Sequence, residues 1–373
     1  MRYPYTRPLA ITMWDFSWLE RRWAGAGYED WDKALDELIE RGYDAVRIDA
    51  YPHLIDADGE KEWTLIPRWN QQVWGAASLT RVSQVARHLV EFMSICKRKG
   101  IAIGLSTWFR QDEDDIRMNL KTPGDLARIW RSTLKVVEEA GLMDSLLFVD
   151  LVNEYPAKPW TPFLYAAAES DEVTRDSVIS VKWMKESLAI LRESYPDLNY
   201  TFSDYDYQGI ESREVDYLDF LEPHLWLPTF TDWDQQVGYK YEAFESTGYD
   251  NLVKHAANVY YSNQSYWDGA IVDGIERIAA WSRRTGKPLI TTECWGVVDW
   301  KDWPLLDWEM VKGMCELGVR TAASKGVWVA IATSNFCGPQ FVGMWRDIHW
   351  HRKLTDIIHN STLPEQMLNR GTN

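Results

Sequence analysis

The sequence has little of what a metal centre, a disulfide framework or a membrane anchor requires. Its 373 residues include only four cysteines, which form no Cys-x-x-Cys pair, and seven histidines, which are dispersed along the chain. No apolar run approaches the roughly 18 residues that span a bilayer, and the N-terminus carries no signal-peptide pattern. We therefore expect a cytoplasmic protein with free thiols, no metal ion or other cofactor and no membrane contact.

Basic residues are too few and too scattered for a surface that binds nucleic acid. Lys and Arg number 40 against 56 Asp and Glu, which gives a formal net charge of −16. Such a field disfavours nucleic acid and anionic membrane surfaces as partners, and it suits a neutral or cationic ligand. A small carbohydrate is a partner of this kind. The sequence leaves the oligomeric state open.

Tryptophan is in clear excess, with 22 residues in the chain. Aromatic rings stack on the apolar faces of sugars while their N–H groups reach hydroxyls. Most of these side chains should still fill the core, so local clusters carry more weight than the total. Two clusters follow predicted strands, namely Trp14 with Trp18, and Trp295 with Trp300, Trp303 and Trp308.

Short apolar runs alternate with amphipathic stretches along the whole chain, a pattern typical of βα units around a parallel sheet. We predict one domain over residues 1–373, an α/β fold consisting of a single (β/α)8 TIM barrel with elaborated βα loops. A doubly wound open sheet would give a similar pattern. The eight predicted strands are Leu9–Met13, Ala45–Ile48, Ile101–Ser106, Leu146–Val152, Tyr200–Phe202, Tyr217–Leu221, Leu289–Thr292 and Val327–Ala332.

The predicted helices carry start and stop signals. Thr122 is a typical N-cap before a proline in the first turn, and Gly141 follows the end of the same helix. Loops after strands are long and would share one face of a barrel, where they can form the walls of a pocket. The predicted helices are Trp31–Arg41, Leu79–Arg98, Pro123–Ala140, Val173–Glu193, Asp273–Arg284, Leu306–Ala323 and Ile348–His359.

Two glutamates each follow a short apolar run. Glu154 ends the stretch Leu-Phe-Val-Asp-Leu-Val-Asn-Glu, and Glu293 ends Leu-Ile-Thr-Thr-Glu. On the fourth and seventh predicted strands they would lie at the catalytic rim of a barrel. A carboxylate separation of about 5–5.5 Å there would suit a retaining glycosidase, in which one carboxyl protonates the leaving oxygen and the other attacks the sugar.

These residues resemble the clan A glycoside hydrolases, and most nearly the cellulase-like enzymes of glycoside hydrolase family 5. Asn153 and Glu154 are similar to the Asn-Glu pair of that group, which implies that Glu154 is the acid/base and that Asn153 binds the sugar 2-hydroxyl. The resemblance implies that Glu293 is the nucleophile. It also matches Arg47 to an arginine that hydrogen-bonds the nucleophile, and His224 to the histidine after strand six.

The expected charges follow from the neighbours of each glutamate. A guanidinium at Arg47 would lower the pKa of Glu293 and keep it ionised, whereas an aromatic pocket and a facing carboxylate would keep Glu154 protonated. The alternative for Arg47 is a salt bridge with Asp44 or Asp49 inside the barrel.

The sequence departs from the family pattern at two places. The family commonly has His-x-Tyr after strand six, where this chain has His224 and then Trp226. The family also carries a tryptophan at the end of strand eight as the floor of the sugar site, where this chain has a Thr-Ser-Asn stretch ending at Asn335. The floor is then expected at Trp295 or Trp345, and the substrate is expected to be atypical for the group.

Further polar and aromatic residues after strands are candidate ligands of sugar hydroxyls. They are Asp49, Trp14 and Trp108. An aspartate at such a position is more often a cap or turn residue.

These observations favour a retaining β-glycoside hydrolase that acts on a small imported glycoside or oligosaccharide, with transglycosylation as a close variant. One alternative is a non-catalytic carbohydrate-binding protein on a hydrolase scaffold. A metal-dependent barrel hydrolase is disfavoured because His349 and His351 form the only close histidine pair, and that pair lies in a predicted terminal helix.

Overall fold

The computed structural model describes residues 3–13, 17–67, 80–168, 173–240, 246–300 and 305–368. A parallel sheet of seven strands organises this part of the chain, in the order β7-β6-β5-β2-β1-β9-β8. Strands β3 and β4 form a separate antiparallel pair. The strands are β1 Leu9–Thr12, β2 Ala45–Asp49, β3 Glu62–Leu65, β4 Thr80–Ser83, β5 Ala102–Ser106, β6 Leu146–Asp150, β7 Tyr200–Thr201, β8 Leu289–Thr291 and β9 Trp328–Ala332.

The sheet strands are buried on both faces because helices cover the outside while side chains fill the inside. Every residue of β1, β2, β5 and β9 is buried, as expected for a parallel sheet with both faces covered. Parallel pairing also sets all carboxyl ends at one rim, and β2 pairs with β5 from Ala45 opposite Ala102 to Asp49 opposite Ser106. Side chains that follow different strands are thereby brought together.

Helices connect the strands. The longer ones are capped as the sequence predicts: the Thr122 hydroxyl accepts the N–H of Asp125, in a capping box that starts α5. In the described part of the chain no helix has both the length and the hydropathy to cross a membrane. The α-helices are α1 Ser17–Glu20, α2 Trp31–Glu40, α3 Pro52–Asp58, α4 Val85–Lys99, α5 Pro123–Glu139, α6 Pro162–Ala168, α7 Val178–Ser194, α8 Leu227–Phe230, α9 Trp233–Val237, α10 Thr247–Ser262, α11 Gln264–Thr285, α12 Trp308–Ala323, α13 Val342–Trp345, α14 Ile348–His359 and α15 Glu365–Leu368.

The sixth predicted strand, Tyr217–Leu221, is not a regular strand. The chain there makes single bridges instead of a ladder, and the Glu-Pro sequence that follows limits pairing because proline cannot donate a hydrogen bond. The segment nevertheless joins the two edges of the sheet: the N–H of Asp219 donates to the carbonyl of Tyr200 in β7, and the N–H of Leu221 donates to the carbonyl of Pro288 before β8.

Three predicted helices have different bounds in the structure. The stretch predicted as Leu79–Arg98 begins with strand β4, because Thr80–Ser83 pairs with β3, and only then forms α4. The prediction Val173–Glu193 becomes α7, which starts at its N-cap Ser177. The prediction Asp273–Arg284 is the second half of the longer α11, and α10 before it lies where the sequence predicts no helix.

Trp295 illustrates how tightly the outer helices pack on the sheet. Its indole N–H donates to the carbonyl of Ala332 at 3.0 Å, and its ring lies against Gly318 of α12. A Cβ at Gly318 would approach the ring to 2.4 Å. The helix can therefore approach the sheet here only because residue 318 has no side chain.

We predict that Gly318→Ala destabilises the protein by roughly 1–3 kcal/mol, because the buried indole cannot move aside without strain. Gly313→Ala, at an exposed position of the same helix with no atom near the added Cβ, is the matched control and should stabilise by about 0.5–1 kcal/mol through helix propensity. Denaturant unfolding of both variants measures the difference. Equal effects of the two substitutions would contradict the packing argument.

Candidate active site

The candidate site lies where the carboxyl ends of the parallel strands meet. Glu293 follows the end of β8 by two residues, and Glu154 follows the end of β6 by four. His224 lies in the segment that joins β7 to β8, where the N–H of the next residue, Leu225, donates to the carbonyl of Glu293. The strands thus bring together three titratable side chains that are far apart in the sequence.

His224 bridges the two glutamates. Its Nδ1 lies 3.0 Å from Oε1 of Glu154 and 3.6 Å from Oε2 of Glu293. One carboxylate oxygen or ring nitrogen from each of the three residues lies within 4.8 Å of the other two. One oxygen of each carboxylate therefore lies closer to the other than the approximately 6.5–9.5 Å that separates the carboxyl groups of inverting glycosidases.

Arg47 is fully buried in β2 and holds the carboxylates from below the rim. Its guanidinium donates to Asp150 at 2.6 Å, to Asn153 at 2.8 Å and to Glu293 at 3.3 Å. The expected hydrogen bond to Glu293 is present, but Asp150 lies closer to the guanidinium, and Asp44, one of the alternative partners, pairs with Arg7 instead. The Trp108 ring lies 4.6 Å from the guanidinium carbon, at cation–π distance.

A second carboxylate, Glu222, supports His224 from the opposite side. The Nε2 atom of His224 lies 3.1 Å from Oε2 of Glu222. The other Glu222 oxygen accepts the backbone N–H of Thr292 at 3.1 Å and its hydroxyl at 2.5 Å. Both ring nitrogens of His224 are therefore engaged by carboxylates, which fixes the ring orientation and favours the doubly protonated imidazolium.

The backbone at Glu154 has a left-handed conformation, with φ of 49°, which a side chain makes unfavourable by roughly 1–2 kcal/mol. Its N–H donates to the hydroxyl of Ser203 at 2.7 Å, and the N–H of Tyr155 donates to the Ser203 carbonyl at 3.2 Å. These bonds hold the turn that aims Glu154 across the rim. The indole N–H of Trp160 donates to Oε2 of Glu154 at 3.3 Å.

The electrostatics correct one expectation. Burial, and next the negative charge of Glu154, raise the pKa of Glu293 to about 7, although His224 and Arg47 act in the opposite direction. Arg47 does not lower this pKa below its usual range because burial and the charge of Glu154 outweigh its effect. Burial disfavours the charge on His224, but Glu293 and Glu222 raise its pKa well above the ordinary value.

A cavity of about 490 Å³ opens above the two glutamates. Its wall includes Trp160, Trp226 and Tyr205 as well as Glu154 and Glu293. A sugar ring has an apolar face and an edge of hydroxyl groups. The aromatic rings of the cavity can stack on the apolar face, and the carboxylates can accept hydrogen bonds from the hydroxyls.

The structure places several predicted ligands at the same rim of the sheet as this centre. Trp226 lines the cavity. Asn153 is buried, and its Oδ1 accepts from Arg47 while its Nδ2 has no hydrogen-bond partner among the described residues. Trp108 lies over Arg47. Asn335 is buried three residues after β9 ends.

Other predicted ligands have different surroundings. Trp295 packs on α12, as described above, and Trp345 stacks on Tyr43 and donates its indole N–H to Glu37 of α2, so neither position fits the floor of a sugar site. The buried carboxylate of Asp49 accepts the backbone N–H groups of Tyr51 and Trp108 and joins two loops. Trp14 lies outside the described residues.

Sequence reasoning missed part of the site. Asp150, Ser203, Glu222 and Thr292 surround Arg47 and His224, yet each looks like an ordinary polar residue at a strand end. The signal available for Glu222 was its position two residues before His224, which places both side chains on the same side of an extended chain.

The Glu154, His224 and Glu293 side chains form the one group of potential metal ligands found among the described residues. A metal would require the neutral imidazole. Because carboxylates flank both ring nitrogens of His224 and raise its pKa, protonation competes with any metal.

Comparisons with known proteins agree with this geometry. The family described as sugar-binding cellulase-like matches residues 11–359. A crystal structure from Parabacteroides distasonis ATCC 8503, whose glycoside hydrolase assignment is itself a proposal, is 48% identical, with a TM-score of 0.94 over 98% of this chain and 97% of that one. A search of curated proteins gives no match.

More distant structures share the fold alone. The endo-β-1,4-mannanase of Thermotoga petrophila has a TM-score of 0.53 at 11% identity, over 96% of this chain and 78% of that one. A xyloglucan-specific endo-β-1,4-glucanase of glycoside hydrolase family 5, from a metagenomic library, has a TM-score of 0.51 at 14% identity, over 95% and 96%. The chain therefore belongs to the sugar-binding cellulase-like family of glycoside hydrolases, within the clan that its Asn-Glu pair and second glutamate resemble.

Proposed function

We propose that the protein is a retaining β-glycosidase on a (β/α)8 barrel, with Glu154 as the acid/base and Glu293 as the nucleophile. The observation that carries the proposal is the close approach of the two carboxylates, within 4.8 Å of each other and of His224. That separation leaves no room for the interposed water of an inverting enzyme.

In the first step an oxygen of Glu293 attacks the anomeric carbon while Glu154 gives its proton to the leaving oxygen. The glycosidic C–O bond breaks as an ester to Glu293 forms. In the second step Glu154 takes a proton from water, whose oxygen attacks the same carbon and releases Glu293. A sugar hydroxyl in place of water gives transglycosylation.

His224 and Arg47 stabilise the charges of this cycle. The imidazolium faces both glutamates, so it compensates the carboxylate of Glu293 before attack and that of Glu154 after proton transfer. The unpartnered Nδ2 of Asn153 provides a donor for a sugar hydroxyl. A cavity of about 490 Å³ suits a small glycoside.

We predict that Glu154→Gln lowers kcat by roughly 10²- to 10⁴-fold on unactivated glycosides, the usual contribution of a general acid, and by less on dinitrophenyl glycosides, whose leaving group needs no proton. Glu293→Gln should remove activity on both substrates. The control is Glu309→Gln, at an exposed position of α12. Full activity of either active-site variant would refute the roles.

Azide should separate the two roles. In Glu293→Ala it can displace the aryl group directly and give the α-glycosyl azide, whereas in Glu154→Ala it attacks the glycosyl ester and gives the β-glycosyl azide. NMR of the products distinguishes them. The same azide anomer from both variants would contradict the assignment, and loss of wild-type activity on adding a chelator would favour a metal at the Glu-His-Glu group instead.

The pH profile should show an acid limb near neutrality. Because burial and the negative charge of ionised Glu154 raise the pKa of Glu293 to about 7, we predict that kcat/KM of the wild type on a dinitrophenyl glycoside, whose leaving group needs no proton from Glu154, falls as the pH falls below about 7 and Glu293 takes up a proton. In Glu154→Gln, assayed on a dinitrophenyl glycoside, one raising charge is absent and the limb should move to lower pH. An unmoved limb would exclude Glu154 as the neighbour that sets it.

Glu222 should influence the alkaline limb of the pH profile of kcat/KM. The charge of Glu222 helps to raise the pKa of His224. In Glu222→Gln the imidazolium should therefore lose its proton at a lower pH, and the alkaline limb of kcat/KM should move to lower pH. Glu222→Asp keeps the charge and should retain the wild-type limb. If both variants lose activity equally at every pH, the role of Glu222 is confined to folding.

A further inference from the structure

A second pair of carboxylates lines the same cavity as the two glutamates. Asp234 belongs to the short helix α9, and Asp299 lies in the loop after β8, six residues beyond Glu293. Neither takes part in the hydrogen-bonded cluster around Arg47 and His224, and the chemistry proposed above does not use them.

Asp299 has an acceptor that no described residue satisfies. The side chain is only 9% exposed. One carboxylate oxygen accepts the hydroxyl of Tyr239, and the other, Oδ1, is buried with no hydrogen-bond partner in the described part of the chain. Because an unpaired buried oxygen of a charged group destabilises the folded protein, a ligand that donates a hydrogen bond to it would be favoured.

No positive charge from the cavity wall compensates this pair. The described residues that line the cavity include no Lys, Arg or His. Burial, and next the charge of Asp234, raise the pKa of Asp299 to about 7, and burial raises that of Asp234 to about 6. Around Glu293, in contrast, Arg47 and His224 supply cations. The cavity therefore has one pair of carboxylates with fixed counter-charges and one pair without.

The wall beside this pair is aromatic. Trp233 precedes Asp234 in α9, is fully buried and packs edge-on against Trp267 at 5.2 Å between ring centres. Tyr239 follows the same helix and also lines the cavity. Acceptors beside rigid aromatic rings form the usual surface for a sugar unit.

We propose that Asp234 and Asp299 form a second sugar-binding subsite, which accepts hydrogen bonds from hydroxyl or amino groups of the second sugar unit of the substrate. This inference rests on the proposed function, because it places the reacting unit at Glu154 and Glu293. The substrate class is then a neutral or amino-bearing glycoside of at least two sugar units. Sugars with carboxylate groups are excluded by four acidic residues in one cavity.

The test compares aryl β-glycosides of one and of two sugar units, in the gluco, manno and glucosamine series. The rate at which each substrate is cleaved is measured by chromatography of the products. In the wild type the second unit should lower KM at least about tenfold. Asp299→Asn and Asp234→Asn should each remove this advantage, raising KM for two-unit substrates roughly 10- to 100-fold, as expected for hydrogen bonds to a charged group. Values of kcat and the kinetics on one-unit substrates should change little.

Asp232→Asn is the matched control. Asp232 is exposed just before α9 and hydrogen-bonds Gln236, so the substitution removes the same charge at nearly the same place without touching the cavity. Thermal unfolding at pH 8 separates recognition from folding: Asp299→Asn should melt at the same or a higher temperature than the wild type, because it removes an unpaired buried charge. A lower melting temperature with unchanged KM would assign Asp299 a structural role and overturn the subsite.

Calorimetry distinguishes failure of the subsite from failure of the proposed function. Cellobiose and the disaccharide of glucosamine are titrated into the wild type and into Asp299→Asn, and the better ligand tells whether hydroxyl or amino donors are preferred. Binding that depends on Asp299 without any glycoside cleavage would refute the glycosidase and keep the subsite. Cleavage of one-unit aryl glycosides, with two-unit substrates unaffected by either aspartate, would refute the subsite and keep the glycosidase.

Discussion

The buried guanidinium of Arg47 is the interaction on which the rest of the rim depends. It is fully inaccessible to solvent and donates to groups that follow three different strands: Asp150 in β6, Glu293 after β8 and Ser106 in β5. A buried cation of this kind is tolerated only when its donors are satisfied. Each strand end is therefore fixed relative to the others by the same side chain, and Glu293 is held where it can face Glu154.

His224 supplies a second positive charge in this arrangement. Arg47 and His224 together carry two positive charges, whereas Asp150, Glu222, Glu293 and Glu154 are four acidic groups. Burial and the charge of Glu154 raise the pKa of Glu293 to about 7, and the charges of Glu293 and Glu222 raise the pKa of His224 well above its ordinary value. The proposed nucleophile Glu293 therefore differs from the fully ionised carboxylate that a nearby arginine predicts, and the difference comes from burial and from neighbours that are distant in sequence.

The part of the fold that local patterns determine could be predicted from the sequence. Buried strands such as β2 and β9, and the capped helix α5, have signals within a few residues. The segment through Leu221 could not be resolved in this way, because whether an apolar run forms a ladder or single bridges depends on its partners. For the same reason Trp295 was a plausible sugar platform from its position after Glu293, whereas its actual contact is Gly318 of α12, which no local pattern connects to it.

The two pairs of carboxylates in the cavity differ in their counter-charges, and this difference favours reaction at one pair and ligand binding at the other. Glu154 and Glu293 are surrounded by fixed donors, so their geometry and protonation are set before any ligand arrives, as preorganised catalysis requires. Asp299 keeps an oxygen without a partner among the described residues, and Asp234 adds a second charge near it. Groups that the protein itself satisfies are available for chemistry, whereas acceptors that it leaves unsatisfied gain most from a ligand that can donate. The balance of charge around each carboxylate thus separates reaction from recognition within one cavity.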